Sequence, residues 1–167
     1  RIRLTAADQY TNTSINPSAD FTLDTKAPRV TNVSAIETLG QTNVIITYDL
    51  ADQNNSLVEM DISSDGGSNW TVTTTSSSGA IGSNTASGTG KTIIWVAMTD
   101  FPNQTLVTMK VRIRAKDIFN NQSTNTTSAN FSLDTLAPTV NVNADLQTQP
   151  NAGNTTISIG GSFTEAN

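Results

Sequence analysis

The sequence predicts an all-β protein. Apolar residues recur at every second position along most of the chain, which is the spacing of a strand with one buried face. No stretch shows a sustained helical period. Turns rich in Gly, Asn and Asp separate the apolar runs at intervals of roughly 8–12 residues, as in sandwiches and barrels of short strands.

The first predicted strands lie between residues 30 and 72. The segment from Val30 to Ile36 is a short candidate strand, and two longer alternating runs follow it. Their inward-facing residues are Val44, Ile46, Tyr48 and Leu50 in one run, and Val58, Met60 and Ile62 in the other. Gly66 and Gly67 then predict a hairpin turn, because glycine adopts positive φ at little steric cost. The turn leads into a short candidate strand from Trp70 to Val72.

The second half of the pattern begins with a loop. Residues 74–90 are a Ser/Thr/Gly/Asn tract and are predicted as the longest loop. Three strands follow. Their inward residues are Ile93, Trp95 and Ala97, then Val107, Met109, Val111, Ile113 and Ala115, then Ala129, Phe131 and Leu133. The residues between the members of the middle strand, Arg112 and Arg114 among them, are predicted to face solvent.

A repeat of about 110 residues organises the chain. Phe21–Val30 matches Phe131–Val140 at seven of ten positions, and Ile2–Asp8 aligns with Val111–Asp117 at an offset of 109. A period this long fits a whole domain in tandem. We therefore expect the end of one repeat at 1–26, a complete repeat at 27–134 and the start of a third at 135–167, a window from a longer array.

The shared Leu-Asp-Thr-x-Ala-Pro segment is predicted to join the repeats. Pro28 and Pro138 cannot donate to a strand ladder, and each biases the preceding Ala toward an extended conformation. The connection should therefore be short and stiff. In the third repeat, Val140 to Ala144 and Thr156 to Gly160 are the predicted first two strands.

About seven strands in about 110 residues is the pattern of an immunoglobulin-like sandwich. The segments Ser63–Thr71, Gly88–Trp95 and Val111–Asp117, together with the junction segment, resemble the fibronectin-type-III/immunoglobulin-like tandem repeats of bacterial extracellular surface proteins. This resemblance implies tandem sandwiches used as building blocks of surface layers (S-layers) and filaments, as adhesin stalks, or as accessory modules beside secreted enzymes. It transfers no catalytic residues.

Composition excludes several classes of function. The net charge of −5 argues against nucleic acid, since phosphate binding needs clustered Lys and Arg. The chain has no His and no Cys, which removes the commonest general base and the commonest thiol nucleophile and predicts that it is not an enzyme. No apolar run approaches the ~18 residues of a transmembrane segment. Together with the excess of Thr, Ser and Asn, these features suit an extracellular or cell-surface location.

Aspartates supply the candidate metal ligands, and calcium is the one cofactor that they favour. Asp61 and Asp65 lie four residues apart just before a Gly-Gly turn, while Asp24 and Asp134 occupy the predicted junctions. Calcium takes six to eight oxygen ligands from such groups. The alternative is structural: Asp side chains in turns accept hydrogen bonds from the amides that follow them. Another oxygen-rich stretch contains Asp49, Asp52 and Asn54.

Two tryptophans leave a choice between a core role and a binding role. Ser63-x-Asp65-x-Gly67-x-x-Trp70 has the spacing of the sialidase-type Asp-box, which is a structural hairpin, and predicts Trp70 packed at the base of that turn. Trp70 and Trp95 could form a sugar-stacking platform. In a chain with 5% aromatic residues, both are predicted to supply core area instead.

The leading hypothesis is a structural repeat segment of a long surface protein such as a surface layer, sheath, filament or adhesin stalk. The alternatives are a carbohydrate- or cell-binding adhesin module that uses loop 74–90, and an accessory domain of a secreted hydrolase. The expected partners are neighbouring copies or adjacent repeats, because the Thr-rich segments 71–77 and 123–128 lack the Lys and Pro that blunt exposed strand edges. Nine Asn-x-Ser/Thr sequons add glycans as candidate partners.

Overall fold

The computed structural model describes residues 1–142 and 161–164, with side-chain environments through residue 139. The strands are β1 (Arg3–Ala7), β2 (Thr13–Pro17), β3 (Arg29–Glu37), β4 (Asn43–Ala51), β5 (Ser56–Ser63), β6 (Ser77–Gly79), β7 (Gly82–Thr85), β8 (Gly88–Val96), β9 (Thr105–Lys116), β10 (Thr126–Thr127), β11 (Phe131–Asp134), β12 (Thr139–Val142) and β13 (Gly161–Thr164). One helical turn, α1 (Ala97–Asp100), follows β8. The all-β prediction is confirmed, and among the described residues no helix is long and apolar enough to span a membrane.

Two antiparallel sheets, formed by β3 to β11, make up the central unit (residues 29–134). One has the strand order β3-β4-β8-β6, and the other has the order β10-β9-β5-β7, with β11 also paired to β9. Their inner faces enclose a single apolar cluster, in which β3 packs across the gap against β9, β10 and β11. The central unit therefore has two layers around one core.

The period-2 pattern correctly predicts the inner face of most strands. Every predicted inward residue of β4, β5 and β8 is buried, and Trp95 and Tyr48 are the largest of the fully buried side chains. Ala97 is buried too, but it begins α1 instead of continuing the strand. The apolar positions of these three strands alternate without interruption, so their burial follows the predicted face.

The alternation predicted for β9 fails at one end. Met109 through Ala115 alternate as expected, but Val107 is 70% exposed and Leu106 packs against the core instead. The register explains the change: Phe131 pairs with Met109 while Leu133 pairs with Leu106, so two residues of β9 oppose one residue of β11. Such a bulge reverses the facing of every residue beyond it.

Residues 74–90 do not form the predicted long loop. They contain β6, which pairs with β8 in the first sheet, and β7, which pairs with β5 in the second. The chain thus changes sheets between Gly79 and Gly82, and the Tyr48 hydroxyl donates to the Ala80 carbonyl at 2.5 Å at the crossing. Both strands are short and built from small residues, so they carry no apolar alternation that could have revealed them.

Two smaller strand predictions are also wrong. Val72 makes a single bridge to Ile62, so the segment from Trp70 to Val72 is not a strand. Ala129 is exposed and Ser128 is buried in its place. The Ser128 hydroxyl accepts from Val111 N at 3.0 Å and donates to Ala129 O at 2.8 Å. These hydrogen bonds satisfy the buried hydroxyl, which an apolar pattern does not predict.

The sheet crossing depends on a glycine. We expect Gly79→Ala to destabilise the protein by about 1–3 kcal/mol more than Gly82→Ala. Both residues have positive φ, so the backbone strain is shared, but a Cβ at Gly79 would lie 2.5 Å from Thr92 O and one at Gly82 would meet nothing within 4 Å. Chemical denaturation of the two variants gives the difference directly. Equal destabilisation would contradict the close approach of β6 to β8.

The N-terminal hairpin β1–β2 repeats the pairing of β9 with β10. Leu4 pairs with Asn16 as Ile113 pairs with Thr126. Ile2 N donates to Ser18 Oγ at 2.9 Å and Ser18 N to Ile2 O at 2.7 Å. The same two bonds join Val111 and Ser128, at 3.0 and 2.8 Å. The sequence repeat is therefore also a repeat of backbone pairing.

The turn after each of these strands is likewise duplicated. Asp8 accepts from the backbone N–H groups of Tyr10 and Asn12 and from the Asn12 side chain, at 2.9–3.0 Å. Asp117 accepts the three corresponding bonds, two of them from Asn121, at 2.8–2.9 Å. An Asp with an Asn four residues later thus specifies this turn in both copies.

The two copies differ in burial. Val111, Ile113, Phe131 and Leu133 are at most 8% exposed, whereas their counterparts Ile2, Leu4, Phe21 and Leu23 are 52–76% exposed. In the described structure no second sheet lies over β1 and β2, and residues 21–24 do not form a strand as residues 131–134 do. The hairpin therefore keeps the local structure of the repeat without its core.

The third copy begins with a matching pair. β12 pairs with β13 so that Thr139 opposes Thr164, as Arg29 of β3 opposes Ala51 of β4. The predicted strand from Val140 to Ala144 is described as far as Val142. The predicted strand from Thr156 to Gly160 lies outside the described residues.

Candidate functional site

A cluster of three carboxylates lies at one end of the central unit. We call this end the N-terminal pole (residues 22–26, 52–55 and 117–121). Asp24 comes from the junction, Asp52 follows β4 and Asp117 follows β9. One carboxylate oxygen of each lies within 4.8 Å of the others. Asp117 is buried, while Asp24 and Asp52 are half-buried.

Asp117 is held in its charged form by amide donors. Burial acts to raise the pKa of its carboxyl, but the hydrogen bonds from the Asn121 side chain and from the backbone N–H groups of Asn121 and Phe119 outweigh burial, so the pKa lies below its ordinary value. An ionised carboxylate is therefore maintained beside two other acidic groups.

Asparagines tie the junction to this pole. Asn54 Nδ2 donates to Asp24 Oδ2 at 3.0 Å, and Asn121 Nδ2 donates to Asp24 O at 3.0 Å. Asp24 also accepts from Lys26 N at 2.9 Å, which closes the turn that enters β3. The junction segment is thus bonded both to the β4–β5 loop and to the β9–β10 turn.

The donor set of the cluster is all oxygen. Carboxylates without His or Cys suit hard cations such as calcium rather than zinc or copper. Of the predicted calcium candidates, Asp24 lies in this cluster, and so does Asp52 of the oxygen-rich stretch. The prediction missed Asp117 as a candidate, although its counterpart Asp8 with the same Asn four residues on marks it as a repeated feature.

Asp134 lies at the opposite end, the C-terminal pole (residues 37–42, 98 and 134–138). Its backbone N–H donates to Glu37 Oε2 at 2.9 Å, and its carboxylate accepts from Thr105 Oγ1 at 3.2 Å and from Leu136 N at 3.0 Å. Burial raises the pKa of Glu37, against the Asp134 N–H bond and with the aid of the nearby Asp134 charge. Asp134 therefore closes the same turn as Asp24, between different neighbours.

Asp65 serves the hairpin turn. It accepts from Ser63 Oγ at 2.7 Å, from Asn69 N at 2.8 Å and from Asn69 Nδ2 at 2.6 Å. The Asn69 and Ser63 donors lower the pKa of Asp65 to about 2. A Cβ at Gly67 would lie 3.4 Å from Trp70 Cζ2, so the indole packs on the turn as predicted.

This turn predicts an acid-sensitive contribution to stability. Because the pKa of Asp65 falls from 3.8 to about 2 on folding, the unfolded chain binds more protons between these pH values. The stabilisation is complete above about pH 4 and is lost as the pH falls through 2. We expect Asp65→Asn to flatten the dependence of the unfolding free energy on pH over this range, with Asn69→Ala intermediate. Three parallel pH profiles would contradict this assignment.

Asp61 belongs to an ion-pair network on the outer face of β5 and β9. Arg112 Nε lies 2.9 Å from Asp61 Oδ2, and Arg114 lies 2.6 Å from Asp61 and 2.9 Å from Glu59. Burial raises the pKa of Asp61, but both arginines more than offset it and the pKa is lowered. Arg112 and Arg114 are consequently half-buried by their partners, a correction to the prediction that they simply face solvent.

The prediction that Trp70 lies in the core is wrong. The Arg112 guanidinium sits 4.5 Å from the centre of the Trp70 ring, on the outer face of the sheet, and Trp70 is only half-buried. Trp95 is fully buried, as predicted. Trp95 thus lies in the core and Trp70 on the outer face of a sheet, so the two indoles form no common platform.

Comparison with known proteins identifies no relative: no family model, curated protein or solved structure matches the chain. Function is therefore inferred from the geometry of the repeat: its two poles and the exposed face of the N-terminal hairpin.

Proposed function

We propose that the chain is a structural repeat segment of a long extracellular surface protein, built from tandem immunoglobulin-like or fibronectin-III-like sandwiches. The observation that carries the proposal is the N-terminal hairpin. It reproduces the pairing and turn of β9–β10, yet its apolar face is uncovered.

The central unit indicates what such a face requires. The counterparts Val111 and Ile113 are buried in one cluster with β3, β4 and β8 of the facing sheet. Leaving Leu4 and Phe21 in water forfeits the burial energy that holds the same strands in the central unit. In the proposed array, residues 1–26 close a preceding sandwich, 27–134 form a complete one and 135–167 open the next.

A repeated sandwich has a mechanical function. Strands of nine residues span roughly 30 Å, so each unit adds about that length to a stalk or filament. Small hydroxyl and amide side chains hydrate the outer faces, and the edge strands β6 and β10 offer unpaired backbone for contact with adjacent repeats or neighbouring copies. In this proposal the segment has no catalytic role, and the carboxylates of the N-terminal pole have a structural role.

The alternative of an adhesin module has less support. It relied on a recognition loop at 74–90, and that segment instead contains β6 and β7. The platform of two tryptophans is also missing from the described surface, because Trp95 is fully buried.

An extended chain tests the architecture. Placing a copy of residues 27–110 directly before Ile2 supplies the strands that precede Val111 in the central unit. We expect the backbone amides of β1 to become protected from hydrogen exchange as those of β9 are, because a second core forms. Persistent fast exchange at Leu4 in this chain would overturn the proposal.

The surface location has a separate test. Antibodies raised against the chain should label intact cells of the source organism, and immunogold electron microscopy should show label along a layer, sheath or filament. Label confined to the interior of permeabilised cells would overturn the extracellular assignment.

A further inference from the structure

Two clefts at opposite ends of the central unit are each lined by a copy of the same repeat segment. The cleft at the C-terminal pole, about 380 Å³, is lined by Asp134–Pro138 together with Leu39 and Met98. The cleft at the N-terminal pole, about 430 Å³, is lined by Thr22–Lys26 together with Asn54 and Phe119. Asp134, Thr135 and Leu136 correspond in the repeat to Asp24, Thr25 and Lys26.

The shared segment has the same local structure in both places. Lys26 N donates to Asp24 Oδ1 at 2.9 Å, and Leu136 N donates to Asp134 Oδ1 at 3.0 Å. Asp24 is bonded by residues of the unit that follows it, and Asp134 by residues of the unit that precedes it. In the proposed array, each cleft forms one half of a junction, and the opposite pole shows the other half.

Apolar side chains are exposed beside both clefts. Leu39 is 99% exposed at the C-terminal pole, where Met98 and Leu136 are also exposed. At the N-terminal pole Ile118 and Phe119 are exposed on the turn that Asp117 closes. Adjacent exposed apolar groups that line a cleft mark an interaction surface, whereas isolated ones do not.

We propose that the patch of Leu39, Met98 and Leu136 is the docking surface for the N-terminal pole of the following repeat, with the counterpart of Phe119 seated against Leu39. This inference rests on the proposed tandem array and names the contact within it. The occupant follows from the shared segment. The residues that hold Asp24, namely Asn54 and Asn121, must have counterparts that hold Asp134, and this brings the next turn to the rim of the Leu39 cleft.

Such a contact makes the junction rigid. In such a junction the aspartate of the shared segment is bonded from both sides. Its own unit contributes Glu37 and Thr105, as seen at Asp134. The next unit contributes the two asparagines, as seen at Asp24. Apolar contact beside these bonds excludes water from them and limits bending between units. The array is then a stiff rod instead of beads on a flexible string.

Cysteine cross-linking tests the contact, because the chain has no native cysteine. Inserting a second copy of residues 29–138 after Pro138 of the full chain creates two consecutive central units. Leu39→Cys is introduced in the first unit and Phe119→Cys in the second, and a short bifunctional maleimide is added. We expect an intramolecular cross-link at least about tenfold faster than in the reversed chain. In the reversed chain Phe119→Cys is in the first unit and Leu39→Cys is in the second, so the two thiols lie at the far ends.

The outcomes separate the two proposals. Equal rates in both arrangements, with two folded units detected by hydrogen exchange, would overturn the docking surface and leave the tandem array standing. Cross-links only between molecules, at rates that rise with protein concentration, would assign the patch to another chain and also overturn it. An inserted unit that does not fold would overturn the array and the docking surface together.

Discussion

Replacing Trp95 with alanine should lower the unfolding free energy by about 3–5 kcal/mol, the usual cost of deleting a large aromatic side chain from a core. Trp95 is completely buried on β8, and its Nε1–H donates to Asp100 Oδ2 at 2.9 Å. The substitution leaves a cavity in the apolar core and removes one of the donors that hold Asp100 beside Ser76. Urea denaturation followed by circular dichroism measures the loss.

Trp70→Ala is the matched control for this experiment. Trp70 is half-buried over Gly67 and makes a cation–π contact with Arg112, an interaction worth roughly 0.5–1 kcal/mol at an exposed site. We expect its loss to cost at most about 2 kcal/mol, since some packing on the turn is lost as well. Comparable losses for the two tryptophans would place both in the core and contradict the observed register.

Ile113→Ala should cost about 2–5 kcal/mol, whereas Leu4→Ala should change the stability of the same chain by no more than about 0.5 kcal/mol. The two positions are equivalent in the repeat and have the same strand pairing, but Ile113 is fully buried and Leu4 is 71% exposed. The difference between the variants therefore measures the contribution of the facing sheet.

The same pair becomes informative in the extended chain. Once residues 27–110 precede Ile2, Leu4→Ala should approach the cost of Ile113→Ala, because Leu4 then lies in a core. Thr5→Ala, on the opposite face of β1, should remain silent in both chains and controls for damage to the hairpin. A large cost of Leu4→Ala in the original chain would mean that its face is already covered.

The N-terminal pole and the Leu39 patch each lie beside a copy of the same junction segment. Asp24 and Asp134 are the same residue of the repeat placed at the two ends of one unit, and each accepts a hydrogen bond from the backbone N–H two residues later. In the proposed array, each sandwich would set the spacing between successive junctions.

The sequence by itself determined the all-β class, the repeat length and the inner faces of β4, β5 and β8. Each depends on local information. Strict alternation identifies a half-buried strand without reference to its partners, and a motif repeated after 110 residues identifies a second unit. The Asp-box spacing likewise predicted the turn at Asp65, because the hydrogen bonds of the Asp65 carboxylate all come from residues between Ser63 and Asn69.

Only the tertiary structure decided which residues those local patterns bring together. The bulge that exposes Val107 arises from the register against β11, and the sheet change at Gly79 depends on close approach to Thr92. Asp24, Asp52 and Asp117 are far apart in sequence and meet because β4 and β9 end at the pole where the junction enters β3. Alternation encodes a face but not a partner, and both the position of Trp70 beside Arg112 and the clefts at the two junctions depend on the partners.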